Sequence, residues 1–220
     1  NKHIKVSRRL AQNPNTPSDI LQELSQVDDE IVKCKLAINP STPENILEQL
    51  SRTKLKTIKI KLVQNKNITA KALLNIIENG DVRILELISH NPNLSVDALE
   101  SLVLRCAWLL QNSKYYHDIW VILRHVLNHK NCSFKVQKYI LNLLPIKQVN
   151  PYHNNLNIAV FTSEYAEPKV LEKYADSIDW LERYAIATNP NTLQTTILKL
   201  AQDSNIIVSN SAISSAILTP

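Results

Sequence analysis

An Asn-Pro turn returns at a constant spacing along the chain, and this spacing limits the possible folds more than any other feature of the sequence. The stretch "NPNTP" begins at Asn13, "NPSTP" at Asn39, "NKN" at Asn65 and "NPN" at Asn91. We call these asparagines the anchors, and each is 26 residues from the next (39 − 13, 65 − 39 and 91 − 65). A fixed period of this length is the signature of a repeat architecture. Asn189 begins a further "NPNT" downstream.

Aliphatic residues keep the same register as the anchors. They stand seven and three residues before each of the first four anchors, and eight and eleven residues after it. These sixteen positions are Val6, Val32, Ile58, Ile84, Leu10, Leu36, Leu62, Ile88, Leu21, Leu47, Leu73, Leu99, Leu24, Leu50, Ile76 and Leu102. Spacings of three and four residues place side chains on one face of a helix. Each unit therefore predicts two short helices, one on either side of the anchor.

The anchor turn supplies the signals that end one helix and start the next. Proline disfavours the helical conformation in the residue before it, so Asn-Pro ends the first helix. The hydroxyls of Thr16 and Thr42 precede a proline and are predicted N-caps, and Thr69 and Ser95 offer the same group one residue later. The 26-residue period leaves room for one full helix and one short helix, in part 3₁₀. No strand pattern is present.

The aliphatic register continues where the anchor asparagine is lost. Ser163 and Ser215 stand 26 residues on either side of Asn189, and a weaker unit centres near His129. These units bring the total to about eight. The sequence predicts an all-α chain folded as one right-handed α-solenoid over residues 1–220, with regular repeats at 1–104 and 156–220. A divergent repeat that carries insertions occupies residues 105–155.

The units resemble a known repeat family. "VSRRLAQNPNTPSDILQELSQ" and "IVKCKLAINPSTPENILEQLS" are similar to the leucine-rich repeat variant, a HEAT-like α-solenoid whose units alternate an α-helix with a 3₁₀ helix around an Asn-Pro-x-Thr-Pro turn. The resemblance is close over residues 1–104 and 180–202, weaker at 156–179 and after 203, and lost across 105–155. It implies an interaction scaffold. The family's founding member carries an iron–sulfur segment with clustered cysteines, which nothing here matches, so no cofactor is expected.

The whole excess of positive charge lies in the first third of the chain. Residues 1–66 hold twelve bases and seven acids, and the rest of the chain holds thirteen of each, so the net charge of +5 comes from this part. Bases gather before each anchor and predict a basic ridge for an acidic protein or nucleic acid. The ridge comprises Lys5, Arg8, Arg9, Lys33, Lys35, Lys56, Lys59 and Lys61. The alternative is a solvated helix face whose lysine stems cover apolar edges.

The divergent repeat concentrates aromatic and histidine side chains. Trp108, Tyr115, Tyr116 and Trp120 form either a local core or an aromatic binding surface. His125 and His129 have the i, i+4 spacing of metal ligands, with Cys132 or His117 as a third group. The run offers no acidic ligand and no general-base Glu, so we expect ordinary histidines and no metal site.

Several function classes lack their motifs. A single glycine, Gly80, excludes the Gly-rich phosphate loops. Three scattered cysteines, Cys34, Cys106 and Cys132, indicate reduced thiols, and the absence of long apolar runs predicts a cytoplasmic protein that does not bind membranes.

The sequence thus predicts a non-catalytic interaction scaffold and leaves its oligomeric state open. A protein partner is favoured, and nucleic acid is the second candidate through the basic ridge. The alternative is a DNA-repair enzyme similar to the HEAT-like alkylpurine glycosylases, with Asp118 and Trp120 or Asp179 and Trp180 beside an extruded base. A protein similar to the helical-repeat bilin lyases is a further candidate, which the near absence of glycine disfavours.

Overall fold

A computed structural model describes residues 2–110, 116–143 and 157–218. Over these residues the chain is helical with no strand, which confirms the all-α prediction. The chain divides into two compact units, residues 1–105 and 106–220. Each unit is described by itself, and one solenoid through residues 1–220 stays a prediction.

The first unit consists of short helices joined by turns at the anchors. In chain order they are α1 Lys2–Gln12, α2 Ser18–Ser25, α3 Glu30–Ile38, α4 Glu44–Ser51, α5 Lys56–Val63, α6 Ala70–Glu78, α7 Val82–Ser89 and the first part of α8 Val96–Leu110. Helix α1 packs on α3, α3 on α5 and α5 on α7, and α4 packs on α6. Helices α1 to α5 also pack on their neighbours along the chain, and so do α6 and α7.

The aliphatic stripe forms the core of this unit from α3 onward. Val32, Ile58 and Ile84, which stand seven residues before their anchors, are buried. Val6 and Leu10 occupy the equivalent positions of α1, yet 52% and 38% of their surfaces are exposed. The register of the stripe therefore predicts burial correctly only for a helix with neighbours on both sides.

The predicted caps are correct at some turns and wrong at others. Thr69 accepts from the Ala72 N–H at 3.1 Å as the N-cap of α6, as predicted. In the turn where a proline follows the threonine, the N-cap residue of α4 is Pro43. The Thr42 hydroxyl there donates to the Leu36 carbonyl at 2.7 Å instead. Thr16 behaves like Thr42. A threonine before the proline lies inside the turn, where its hydroxyl reaches the end of the preceding helix. The described residues contain no 3₁₀ helix.

The second unit is also built from short helices. It contains the end of α8, then α9 Tyr116–Leu127, α10 Phe134–Asn142, the helical residues 157–161 (α11), α12 Pro168–Tyr174, α13 Trp180–Thr188, α14 Gln194–Leu200 and α15 Ile206–Leu218. Helix α13 packs on α12, α14 and α15. Phe161 is fully buried, with its ring centroid 5.3 Å from that of Tyr174.

Candidate functional site

Two of the anchor asparagines, Asn39 and Asn65, are buried, and each joins its repeat to the one before it. The side-chain Nδ2 of Asn39 donates to the carbonyls of Ala11 at 2.9 Å and Asn13 at 3.1 Å. Asn65 makes the same two bonds one period later, to Ala37 at 2.8 Å and Asn39 at 3.1 Å. Their side-chain oxygens accept from the backbone two residues ahead. The anchors thus use their polar atoms within the fold, as a structural role requires.

The same connection is present in the second unit, with some anchors replaced. Asn189 donates to the carbonyls of Phe161 at 2.6 Å and Ser163 at 2.9 Å. Ser163, itself at an anchor position, donates its hydroxyl to Leu127 at 2.7 Å. Ser215 donates in the same way one period after Asn189. The two repeats that the aliphatic register places at Ser163 and Ser215 therefore also form the hydrogen bond of an anchor.

Three bases of the predicted ridge are neutralised by nearby acids. Arg8 grips the carboxylate of Asp29 with two hydrogen bonds of 3.1 and 2.7 Å. Asp29 is also the N-cap of α3, so this pair fastens α1 to the start of α3. Lys56 likewise lies 2.5 Å from Asp81, the N-cap of α7. Lys33 is 3.0 Å from Asp28.

Lys59 corrects the predicted ridge, because its side chain is buried and does not belong to an exposed surface. Only 6% of the residue is accessible, and its ammonium lies 3.5 Å from the backbone oxygen of Asn79 at the end of α6. Burial lowers the pKa of Lys59; the charge of Arg105 acts in the same direction and that of Asp81 in the opposite one. The repeat position groups Lys59 with Lys33, but the two side chains have different surroundings.

Three bases remain that share one repeat position, and we call them the basic row: Arg9, Lys35 and Lys61. They stand four residues before their anchors on α1, α3 and α5, which pack in succession. Packed helices lie roughly 10 Å apart, so the row presents cations at about that spacing. Lys35 donates to Gln12 at 2.8 Å and Lys61 to Gln64 at 3.4 Å.

The charges of two members of the row, Lys35 and Lys61, act on the thiol of Cys34. Burial raises the pKa of Cys34, while the charges of Lys61 and Lys35 both act to lower it. Both ammonium groups therefore lie within electrostatic reach of the same sulfur. Lys5 of the predicted ridge is exposed on α1.

The structure describes the side chains of two of the four residues in the predicted aromatic surface. Trp108 is 53% exposed on α8, and Trp120 on α9 is half-buried with the Arg124 guanidinium 5.5 Å from its ring centroid. Tyr115 lies outside the described residues, and so does the side chain of Tyr116. Within the part of the chain that the structure describes, the indole N–H of Trp120 is buried without a hydrogen-bond partner.

Comparisons with known proteins were made at three levels. No family model, curated protein or solved structure matches this chain. Its function must therefore be inferred from its own side chains.

The structure does not bring the residues proposed for catalysis or for metal binding together in one site. Asp179 caps α13 by accepting from the Leu181 N–H at 2.9 Å, and Asp118 is exposed in the first turn of α9. His129 is buried at an anchor position, where its Nδ1 accepts from the backbone N–H of Asn131 at 3.1 Å. Among residues 2–110, 116–143 and 157–218, no three His, Cys, Asp or Glu side chains form a group that could hold a metal.

No helix within residues 2–110, 116–143 and 157–218 combines the length and the apolar character needed to cross a bilayer.

Two features that the sequence analysis did not single out emerge from the coordinates. Glu182 is buried at a position that is aliphatic in the first four repeats, and its carboxylate accepts from Asn157 at 2.6 Å and from the Ser177 hydroxyl. The break in the aliphatic register at Glu182 could have indicated it. The second feature is a cavity of about 440 Å³ beside Lys59, lined by residues of α4 to α6. No local sequence signal indicates that cavity.

Proposed function

We propose that the chain is a non-catalytic interaction scaffold whose basic row binds an acidic segment of a partner protein. The observation that carries this proposal is the arrangement of Arg9, Lys35 and Lys61 at one position on three packed helices. Among the described residues none of the three forms a salt bridge with an acid, in contrast to Arg8, Lys33 and Lys56. A row of cations without acidic partners attracts carboxylates by long-range electrostatics.

The number of available cations favours a protein partner over nucleic acid. A protein that grips duplex DNA through its backbone typically neutralises about six to ten phosphates. Here the ion pairs and the burial of Lys59 leave the three cations of the row and Lys5 from the eight bases of the predicted ridge. A short acidic segment of an extended peptide, with carboxylates that reach successive helices, fits this smaller set better.

We further propose that the repeats build a right-handed α-solenoid of about eight units and that the chain is a leucine-rich repeat variant protein. The support is the 26-residue period, the packing of successive odd-numbered helices, and the anchor bonds that recur in both units. In such a fold a residue at one repeat position recurs along one edge. This geometry is what would align the basic row.

The proposal is tested by the binding of two fluorescent probes, an oligoglutamate peptide and a duplex DNA, measured by anisotropy at low and at physiological salt. The variant Arg9→Glu/Lys35→Glu/Lys61→Glu removes the row. A matched control, Lys130→Glu/Lys138→Glu/Lys169→Glu, makes the same change of charge at exposed positions of the second unit. We expect peptide binding by the wild type and the control, and its loss in the row variant. Equal loss in both variants would show a response to net charge alone, and tighter binding of DNA than of peptide would reverse the choice of partner.

A further inference from the structure

The cavity beside Lys59 lies at the end of the repeats opposite the anchor turns. It is lined by Ser51, Arg52, Thr53, Lys54, Lys59, Asn75, Glu78 and Asn79, which come from the end of α4 and the turn after it, from α5, and from the end of α6. Its volume, about 440 Å³, falls in the range of sites for small molecules. The basic row lies on α1, α3 and α5, and none of its three residues lines this cavity.

Lys59 is the unusual member of this lining. A lysine ammonium carries three donors, and burying it is costly unless those donors and the charge are satisfied. Within the described residues Nζ has one hydrogen bond, to the Asn79 carbonyl, at the long distance of 3.5 Å. Burial accordingly lowers the pKa of this group. A neutral carbonyl at that distance leaves donor capacity on the ammonium of a residue of which only 6% is accessible.

The rest of the lining supplies further positive charge and few competing acceptors. Arg52 and Lys54 are exposed at the rim, against one acid, Glu78. The hydroxyl of Ser51 already accepts from the Asn75 amide at 2.9 Å and donates to the Glu48 carbonyl at 2.7 Å. The polar side chains on this wall thus satisfy each other rather than the ammonium.

We propose that this cavity binds an oxyanion, a carboxylate or phosphate group, which accepts hydrogen bonds from Lys59 and is flanked by Arg52 and Lys54. The C-terminal ends of α4 and α6 border the cavity at Arg52 and Asn79, and their carbonyl dipoles oppose an anion. Affinity for a small anion is therefore modest, with a dissociation constant on the order of 1 mM. The charge of Asp81 also acts on Lys59, but Asp81 is paired with Lys56. The ammonium and the two rim bases together outweigh Glu78 and these dipoles.

The test is an NMR titration of the full chain with inorganic phosphate and, separately, with acetate, and sodium chloride controls for ionic strength. We expect saturable shifts of the Asn75 side-chain amide and of the backbone amides of residues 52–54 with at least one of the two anions. A response to phosphate alone assigns a phosphate site, and a response to acetate alone assigns a carboxylate site. Shifts no larger than those caused by chloride would overturn the proposal.

The variants separate Lys59 from its counterpart one repeat earlier. Lys59→Met keeps the apolar stem and removes the donors, and we expect it to weaken binding about tenfold or more. Lys33→Met, at the same repeat position but paired with Asp28, should bind as the wild type does. If Lys59→Met does not fold, Arg52→Gln/Lys54→Gln changes only exposed side chains and should weaken binding several-fold. Wild-type affinity in Lys59→Met, or in the double variant where that is the one tested, contradicts the assignment.

Discussion

Asn65 donates its side-chain amide to the backbone oxygen of Asn39 at 3.1 Å, and Asn39 makes the same bond to Asn13. One anchor is thus hydrogen-bonded to the next through a side chain on one repeat and a carbonyl on the other. The turn that marks the period in the sequence therefore also joins successive repeats in the structure. This explains why Asn13, Asn39 and Asn65 keep a constant spacing.

Removing one anchor amide should therefore destabilise the first unit. Asn39→Ala leaves the buried carbonyls of Ala11 and Asn13 without their donor, and each such loss costs about 1–3 kcal/mol. We expect urea unfolding, followed by helical circular dichroism, to show a loss of at least about 2 kcal/mol. Asn13→Ala is the control, since among the described residues the exposed Asn13 side chain accepts only from the backbone N–H of Asn15 in its own turn. Equal losses in the two variants would argue against the inter-repeat bonds as the cause.

The single glycine is required by close packing. A Cβ at Gly80 would lie 2.8 Å from Cδ2 of the buried Leu85 and 3.0 Å from the Ile76 carbonyl. Gly→Ala gains about 0.4–1 kcal/mol from the unfolded chain, but overpacking costs about 1–3 kcal/mol. Gly80→Ala should be less stable than the wild type in urea unfolding, whereas Asn79→Ala, at the exposed neighbouring position, should change little. A stabilised Gly80→Ala would show that α6 and α7 adjust without cost.

The pair of Arg8 and Asp29 should make stability depend on pH in the acid range. The hydrogen bond from Arg8, followed by that from the Val32 N–H, lowers the pKa of Asp29. A lowered folded-state pKa stabilises the fold above the unfolded value of about 4, and this contribution is lost as the pH falls through the folded value. Asp29→Asn keeps an N-cap but loses the charge, so it should be less stable than the wild type at neutral pH. The difference between the two proteins should shrink as the pH falls below the unfolded value of about 4, and a difference that stays constant with pH would rule out the ion pair.

The three thiols should differ in reactivity in the folded protein. Burial raises the pKa of Cys132 to about 12, so almost none of it is thiolate near neutral pH. Cys106 is buried as well, and Cys34 is half-buried. We expect maleimide to label Cys34 first, with all three thiols labelled after denaturation, as measured by mass spectrometry of peptides. Labelling of Cys132 at the rate of Cys34 in the native protein would contradict the described burial.

The regular parts of the fold could be predicted from the sequence because they depend on local rules. Helical spacing of the aliphatic residues, the Asn-Pro turns and the 26-residue period all act within one or two units. The same rules placed Ser163 and Ser215 at anchor positions without any asparagine, and in the structure each donates its hydroxyl to a carbonyl of an earlier helix. The all-helical class follows from the same signals.

Which bases belong to the exposed basic surface was harder to predict, because this depends on contacts between repeats. Lys33 and Lys59 share a repeat position, yet one is paired with an exposed acid and the other is buried beside α6. Arg8 and Lys56 are fixed by the N-cap acids of a later helix. Which acid faces which base is decided by the packing of α1 on α3 and α5 on α7, and a linear pattern does not contain that information.

The central claim is that the anchors hold the repeats together and that the basic row binds the partner. It is tested most directly by measuring the affinity of folded Asn39→Ala and of Arg9→Glu/Lys35→Glu/Lys61→Glu for the oligoglutamate peptide beside their unfolding free energies. We predict that Asn39→Ala loses stability and keeps wild-type affinity, while the row variant loses affinity and stays within about 0.5 kcal/mol of wild-type stability. An Asn39→Ala protein with an unchanged unfolding free energy and lost peptide binding would contradict the claim.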